Sequence, residues 1–231
     1  MPYSIRMEEE HREFSIEMLQ ELENLVKENG ISLFSVARTG EEERSKFGLP
    51  YALVLAVRLS DAVVERIVDR PTNLYFHHYK QVNYLLDRTA LLLANHIQEK
   101  GKDALPIPAS QVTDWPGLKG DLSHKKMAYL AGLGWIGRQT LIVSPQFGAR
   151  IRLATVLTDL ELPVGRPIDA GCKDCRACIK ACPVSAIKER AEDFDLSACK
   201  SQLDIFRKEI GQHICGICVK ACRRQNTDHK L

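Results

Sequence analysis

The sequence predicts an α/β, or α+β, fold: a mixed-sheet domain over residues 1-166 followed by a smaller cysteine-rich unit over residues 167-231. Three observations carry this reading. All eight cysteines lie between Cys172 and Cys222, so the chain has two parts with different chemistry. In the cysteine-free part, apolar residues alternate between helical spacing and short continuous runs of the buried-strand type. Between the two, Leu162-Pro-Val-Gly-Arg-Pro167 supplies the proline and glycine of a boundary, placed near residue 166.

Each element follows from its residues. Phe14, Met18, Leu22, Leu25 and Val26 share one face of a helix ending near Gly30, and residues 31-36 then read as a strand. The run 52-59 is a second, buried strand. Ser60 or Asp61 caps a helix that turns Val63, Val64, Ile67 and Val68 inward. A long helix follows Pro71, with Val82, Leu85, Leu86, Leu93 and Ile97 as its core stripe and Gly101 at its stop. At its front, Tyr75-Phe-His-His-Tyr79 concentrates aromatic and proton-carrying groups, which packing explains as well as function does. Ser123 caps a further helix, with Leu122 and Met127 as a hydrophobic staple. Residues 140-143 and 150-157 are expected to pair antiparallel across the turn Pro145-Gln-Phe-Gly148, giving a mixed sheet.

Composition limits the function classes. A hydrophobic fraction of 45% with 27% charged residues is that of an ordinary globular chain, and no apolar run approaches the roughly eighteen residues of a membrane span. The N-terminus, MPYSIRMEEEHREF, is charged where a secretory signal carries its apolar stretch, so a cytoplasmic location without membrane attachment is expected. The balance of 32 Lys+Arg against 30 Asp+Glu is too even to argue for a nucleic-acid partner.

The cysteines say more. Cys172-Lys-Asp-Cys175-Arg-Ala-Cys178-Ile-Lys-Ala-Cys182-Pro183 has the C-x2-C-x2-C-x3-C-P spacing of bacterial two-cluster ferredoxins, in which the fourth cysteine ligates the other cluster. The second half is Cys215-Gly-Ile-Cys218-Val-Lys-Ala-Cys222, with Cys199 upstream as the missing member and residues 200-212 as an inserted helix. Crossed ligation assigns Cys172, Cys175, Cys178 and Cys222 to one [4Fe-4S] cluster and Cys182, Cys199, Cys215 and Cys218 to the other. Two zinc sites or a disulfide framework are the alternatives. A reducing compartment disfavours disulfides, and the triple C-x2-C-x2-C run is hard to wrap around one tetrahedral ion. From Pro167 onward twelve Lys+Arg face nine Asp+Glu, an excess that either offsets cluster charge or forms a solvated surface.

Gly132-Leu-Gly134-Trp-Ile-Gly137 is formally G-x-G-x-x-G. The order here is helix, glycine loop, strand, whereas a dinucleotide site needs strand, loop, helix, so a nicotinamide site is excluded on context. The glycines imply close backbone approach, either to a neighbouring helix or to a flat cofactor.

Ala131-Gly-Leu-Gly-Trp-Ile-Gly137, then Arg138 and the strand Thr140-Leu-Ile-Val143, then the two-cluster cysteine region, resembles the epoxyqueuosine reductase family and, more distantly, the reductive dehalogenases. The resemblance covers about residues 50 to 225. It implies a nitroreductase-like, mixed α/β domain of the cobalamin-binding type, followed by a ferredoxin-like two-cluster domain. By that likeness base-off cobalamin lies against the nearer cluster and beside Gly132, Gly134, Trp135 and Gly137, and Arg138 stands where the family usually has lysine. The family also carries Asp-(Ser/Thr)-Ala-Pro-Val before the glycine loop, whose aspartate is the implied proton donor. The stretch here is Leu118-Lys-Gly-Asp-Leu122, and the chain ends at Leu231 without the helical-repeat extension associated with tRNA. Epoxyqueuosine reduction is therefore expected to be unlikely, with no nucleic-acid partner. Leu122-Ser-His-Lys125 matches shorter double-cluster relatives.

The expected activity is that of a reductase passing electrons from a donor such as ferredoxin or flavodoxin through two [4Fe-4S] clusters to cobalamin, a corrinoid or a small-molecule substrate. An electron-transfer protein without its own substrate is the alternative, and a cobalamin-handling or redox-sensing protein a third. His124 and Asp121 are the candidates for an acid, each also explained as an ordinary hydrogen-bonded side chain.

Overall fold

The computed structural model describes residues 3-223, and side chains from residue 13 onward. The charged N-terminal stretch and the last eight residues of the expected second unit therefore fall wholly or largely outside the described side chains.

Helix α1 (Tyr3–Glu28) buries Met18, Leu22 and Val26 and leaves Phe14 exposed. Strand β1 (Leu33–Arg38) follows, then the short helix α2 (Glu41–Phe47) and strand β2 (Tyr51–Arg58). Residues 51-57 are all buried, which is what a continuous apolar run requires of a strand covered on both faces. Helix α3 (Asp61–Val64) is a single turn after Ser60, whose side chain makes no cap bond. Val64 and Ile67 are buried, but the turn ends before Val68, which is 79% exposed. Helix α4 (Asn73–Glu99) starts where the Thr72 hydroxyl accepts the Tyr75 amide and buries Val82, Leu86, Leu93 and Ile97. Strand β3 (Ala104–Ile107) leads through a loop to helix α5 (His124–Leu130), capped by the Ser123 hydroxyl on the Lys126 amide, with Leu122 and Met127 buried in one cluster.

Strands β4 (Trp135–Ile136), β5 (Ile142–Val143) and β6 (Ile151–Thr158) complete the α/β part. The main sheet has the order β1-β2-β6-β3, and every ladder in it is antiparallel. The expected mixed sheet is thus corrected to an antiparallel one. So is the expected hairpin of residues 140-143 with 150-157. β5 pairs with β4, and β6 lies between β2 and β3. The turn at Pro145 closes only a single Ser144–Gly148 bridge, because β6 gains a full ladder on each side in the main sheet.

Alternate residues of β2 and β6 face opposite sides, as a pleated strand demands. Leu53, Leu55, Ala154 and Val156 pack under α1 and α4, while Ala52, Val54, Leu153 and Leu157 pack against α5. Each fully buried leucine contributes roughly 2 kcal/mol of transfer free energy. The cysteine region adds α6 (Ala177–Ala181), α7 (Leu196–Ile210) and α8 (Ile217–Ala221), with α6 packed on α8. Phe206, Ile214 and Ile217 from this region join the cluster under α4. Among the described residues no helix is long and apolar enough to cross a membrane.

Candidate metal centre

The cysteine repeat is also a repeat of backbone. Cys178 lies in α6 and Cys218 in α8, each a five-residue helix, and each helix ends on the next cysteine. The Cys182 amide donates to the Cys178 carbonyl at 3.2 Å, and the Cys222 amide to the Cys218 carbonyl at 3.1 Å. Cys199 comes from α7, which begins earlier than expected because Asp195 caps it by accepting the Ala198 amide at 2.9 Å.

All eight cysteines are free thiols, and the fold brings them close enough to influence one another. Cys178 feels Cys172 and Cys175, and Cys222 feels Cys178 and Cys172. Cys199 feels Cys182, Cys215 feels Cys199 and Cys182, and Cys218 feels Cys215, Cys199 and Cys182. Cys218 also feels Cys178, so the two expected sets adjoin each other there. Burial pushes these thiols up, Cys215 and Cys222 to about 11. Buried thiols that resist ionisation suit a ligand that supplies compensating positive charge.

The first set lines a cavity of about 190 Å³ together with Gln139 and Val143 of the α/β part. Its four thiols surround a space rather than a point. Among the described residues no three His, Cys, Asp or Glu groups gather tightly enough to hold one metal ion. Four thiols spread around a cavity fit the corners of a cubane, whose irons carry the ligands outward, better than a tetrahedral ion at a single centre.

The α/β part grips this region through buried charge. The Arg150 side chain, 5% exposed, bonds Asp61 and Glu65 at 2.7 Å each and donates to the Lys220 carbonyl at 2.6 Å. Arg223 bonds the same Glu65 at 2.7 Å, and Lys220 donates to the Ile67 carbonyl. Gly148 passes so close to Cys222 that a Cβ there would collide with the Cys222 carbonyl.

The glycine motif follows α5, Gly132 standing at φ +76°, and contains β4 (Trp135–Ile136), with the expected following strand reduced to β5 (Ile142–Val143). Its close approaches are to the chain's own backbone. A Cβ on Gly132 would strike the Arg166 carbonyl, and one on Gly134 the Val143 carbonyl. At Gly137 a Cβ would lie 2.5 Å from Gln139 Oε1. Trp135 is buried beside Val143 in the β4–β5 ladder. Arg138 donates to the Lys173 carbonyl at 2.8 Å and lies 3.5 Å from Glu189, tying the loop to the cysteine region. The glycines therefore fit a packing turn, while Trp135 Nε1 and Arg138 Nε in the same loop are buried without a hydrogen-bond partner.

His124 uses both ring nitrogens. Nε2 faces the Pro108 carbonyl at 3.0 Å, which can only accept, so Nε2 carries the hydrogen and Nδ1 accepts from the Thr155 hydroxyl at 2.8 Å. Burial holds its pKa below the ordinary value. Asp121 pairs with Lys46 at 2.9 Å, which keeps it ionised. The sequence reading missed a third group. Tyr79 bonds the Ser110 hydroxyl at 2.8 Å, with the Arg152 guanidinium 4.4 Å from its ring centre and also bonded to Asn83. Burial alone would raise the phenol, but Arg152 and the Ser110 and Asn83 hydrogen bonds bring it below its ordinary value. Tyr79 sat in the aromatic run already noted, but Arg152 is 73 residues away and gave no local signal.

No family model matches the chain. Curated relatives do. The epoxyqueuosine reductase of Salmonella typhimurium is 38% identical over 102 residues, 40% of this chain and 26% of that protein. That of Bacillus cereus is 30% identical over 113 residues, 45% of this chain and 30% of that protein. Over these stretches this chain is similar to the epoxyqueuosine reductases. The match spans less than a third of the length of these relatives. The fold extends the likeness: epoxyqueuosine reductase from Streptococcus thermophilus superimposes with a TM-score of 0.64 at 20% identity, over 92% of this chain and 67% of that one. The reductive dehalogenase NpRdhA gives 0.72 at 21% identity, over 87% and 31%.

Two expectations are corrected by these findings. Epoxyqueuosine reduction was expected to be unlikely, yet several relatives at 30–40% identity carry that name. A nucleic-acid partner was not expected, yet an epoxyqueuosine reductase bound to a tRNA stem loop superimposes on 94% of this chain with a TM-score of 0.65. Both expectations leaned on features missing from the chain, and the second also on its near-even charge; a missing motif is weak ground where the matched stretch is only a fraction of each relative.

Proposed function

We propose that this chain is an iron-sulfur reductase of the epoxyqueuosine reductase kind, with a tRNA-borne epoxyqueuosine as its substrate class. The observation that carries the reading is the cavity that Cys172, Cys175, Cys178 and Cys222 line together with Gln139 and Val143 of the α/β part, with the other four cysteines close by. Cys172, Cys175, Cys178 and Cys222 would hold one [4Fe-4S] cluster, and Cys182, Cys199, Cys215 and Cys218 the other. When bound, such clusters carry single electrons between a donor protein and an acceptor. On this reading residues 167-231 form the electron-entry unit and residues 1-166 the substrate-facing unit, locked together by Arg150.

The second set adjoins Tyr75, which lies within reach of Arg152 and Tyr79 as well as of Cys215 and Cys218. Tyr79 is then the proton source for the reduction: its hydroxyl is oriented by Ser110, and Arg152 stabilises the phenolate left behind. His124, with both nitrogens engaged, positions the Pro108–Ser110 loop against β6 rather than donating a proton.

The test is anaerobic purification with iron, sulfide and corrin analysis, then reduction of an epoxyqueuosine-containing tRNA stem loop with a flavodoxin-type donor. Eight iron and eight sulfide per chain with turnover supports the reading, and stoichiometric zinc without sulfide defeats it. Tyr79→Phe should cut turnover at least tenfold with iron content unchanged. One observation favours the electron-transfer alternative: the glycine faces expected beside cobalamin pack on the chain's own carbonyls. Full iron content without corrin binding or turnover would establish it.

A further inference from the structure

Gln139 is buried, 3% exposed, and its side chain enters the cavity lined by Cys172, Cys175, Cys178 and Cys222. Its Oε1 lies 3.7 Å from Cys178 Sγ, and its Nε2 meets no partner at full hydrogen-bond geometry, although the Gln139 side chain also acts on the Cys222 thiol and lowers its pKa against the upward push of burial. An unpartnered buried amide N–H costs about 1–3 kcal/mol, so such a group points to something it is meant to meet. The local backbone holds it there. The turn closes through the Gly137 amide on the Leu141 carbonyl and the Thr140 amide on the Gly137 carbonyl, both 2.8 Å. Thr140 sits at φ +60°, a costly conformation for a β-branched residue. Gly137 leaves open the space that a side chain would take from the Gln139 amide.

We propose that Gln139 sets the reduction potential of the cluster held by Cys172, Cys175, Cys178 and Cys222, by donating its Nε2 hydrogens to sulfur. The inference rests on the cluster reading above. With Cys178 as a thiol, its S–H donates to Oε1. As a cluster ligand Cys178 is a thiolate and can only accept, so the amide turns over and presents Nε2 to the same sulfur or to a cluster sulfide. A hydrogen bond to sulfur stabilises the more negative, reduced cluster and raises its potential.

The test is an EPR-monitored redox titration of the full, iron-replete chain, comparing wild type with Gln139→Leu, Gln139→Glu and Gln139→Asn. In Gln139→Leu one cluster should become about tenfold harder to reduce at a fixed poise, equivalent to about 59 mV for one electron. The cluster of Cys182, Cys199, Cys215 and Cys218 should keep its potential. Gln139→Glu, nearly the same shape but an acceptor with negative charge, should shift the same cluster further in the same direction. Gln139→Asn, which keeps the amide, should recover part of the loss. If Gln139→Leu fails to hold iron, Gln139→Glu supplies the reading. Unchanged potentials in iron-replete variants, or equal shifts of both clusters, overturn the tuning role and leave the cluster reading standing. A wild-type chain that takes up no iron and sulfide overturns both.

Discussion

Strand β2 buries seven consecutive residues and β6 lies under helices on both faces, whereas α6 and α8 have five residues each and bury little beyond Cys178 and Ile217. The sheet needs nothing but its own ladder and apolar faces. Five-residue helices are far below the length that holds in water, so the cysteine region depends on what its thiols and docking residues grasp. Order that a ligand confers is to be sought in the segment whose local structure is too short to sustain itself.

The largest expected effect separates the two regions directly. Removing iron anaerobically with a chelator should raise amide exchange across residues 172-222 by 100-fold or more, while β2 and β6 keep their protection. Equal protection with and without iron would mean that Phe206, Ile214 and Ile217 hold the region by packing alone.

The glycine contacts sharpen the contrast from the scaffold side. Gly134→Val forces a Cβ into the Val143 carbonyl and should cost about 3 kcal/mol, at the upper end for overpacking. Gly171→Ala, with nothing within 4 Å, should cost less than about 0.5 kcal/mol. Chemical denaturation midpoints check both. A neutral Gly134→Val would mean that the β4–β5 turn yields, and would reopen its face to a cofactor.

What could be read in advance follows from how local the physics is. The cysteine motifs 172-182 and 215-222 are written in spacings of two and three residues, so the region that gathers the thiols was legible. The Leu122–Met127 staple, the Ser123 cap and the Gly101 stop are equally local. Strand pairing is not: β5 chose β4 across the turn of residues 137-141, and β6 chose β2 and β3, a decision made by burial across the whole sheet. Gln139 carried no signal, being one amide after a glycine loop until the turn aims it at the cavity. The partners that define Asp121, His124 and Tyr79 lie 16 to 75 residues away in sequence.

Between the regions, Arg150→Ala should loosen docking. Asp61 and Glu65 are more than a third exposed, so solvent screening brings the expected loss to about 1–2 kcal/mol rather than that of a fully buried pair. Hydrogen bonds from Arg150 hold both carboxyls below the ordinary carboxylate range. A depressed carboxylate contributes stability that is present above its unfolded pKa and lost as pH falls through its folded one. The gap between wild type and Arg150→Ala should therefore shrink below about pH 4, near the unfolded carboxylate values. A gap that stays constant down to pH 2 would assign the effect to the Lys220 carbonyl instead.

The smallest effect lies within the scaffold, at His124. Burial lowers its pKa, and the Pro108 carbonyl fixes hydrogen on Nε2 while Nδ1 accepts from Thr155. Protonating Nδ1 would set an N–H against the Thr155 hydroxyl and force that hydroxyl to turn away. The unfolded chain takes up the proton first as pH falls, so stability present above about pH 6.5 declines below it. Proton NMR of the imidazole should show a midpoint below 6.5, and the decline between pH 7 and 5 should flatten in His124→Gln. A midpoint at or above 6.5 would mean that water reaches the ring, returning His124 to the groups able to give a proton to substrate.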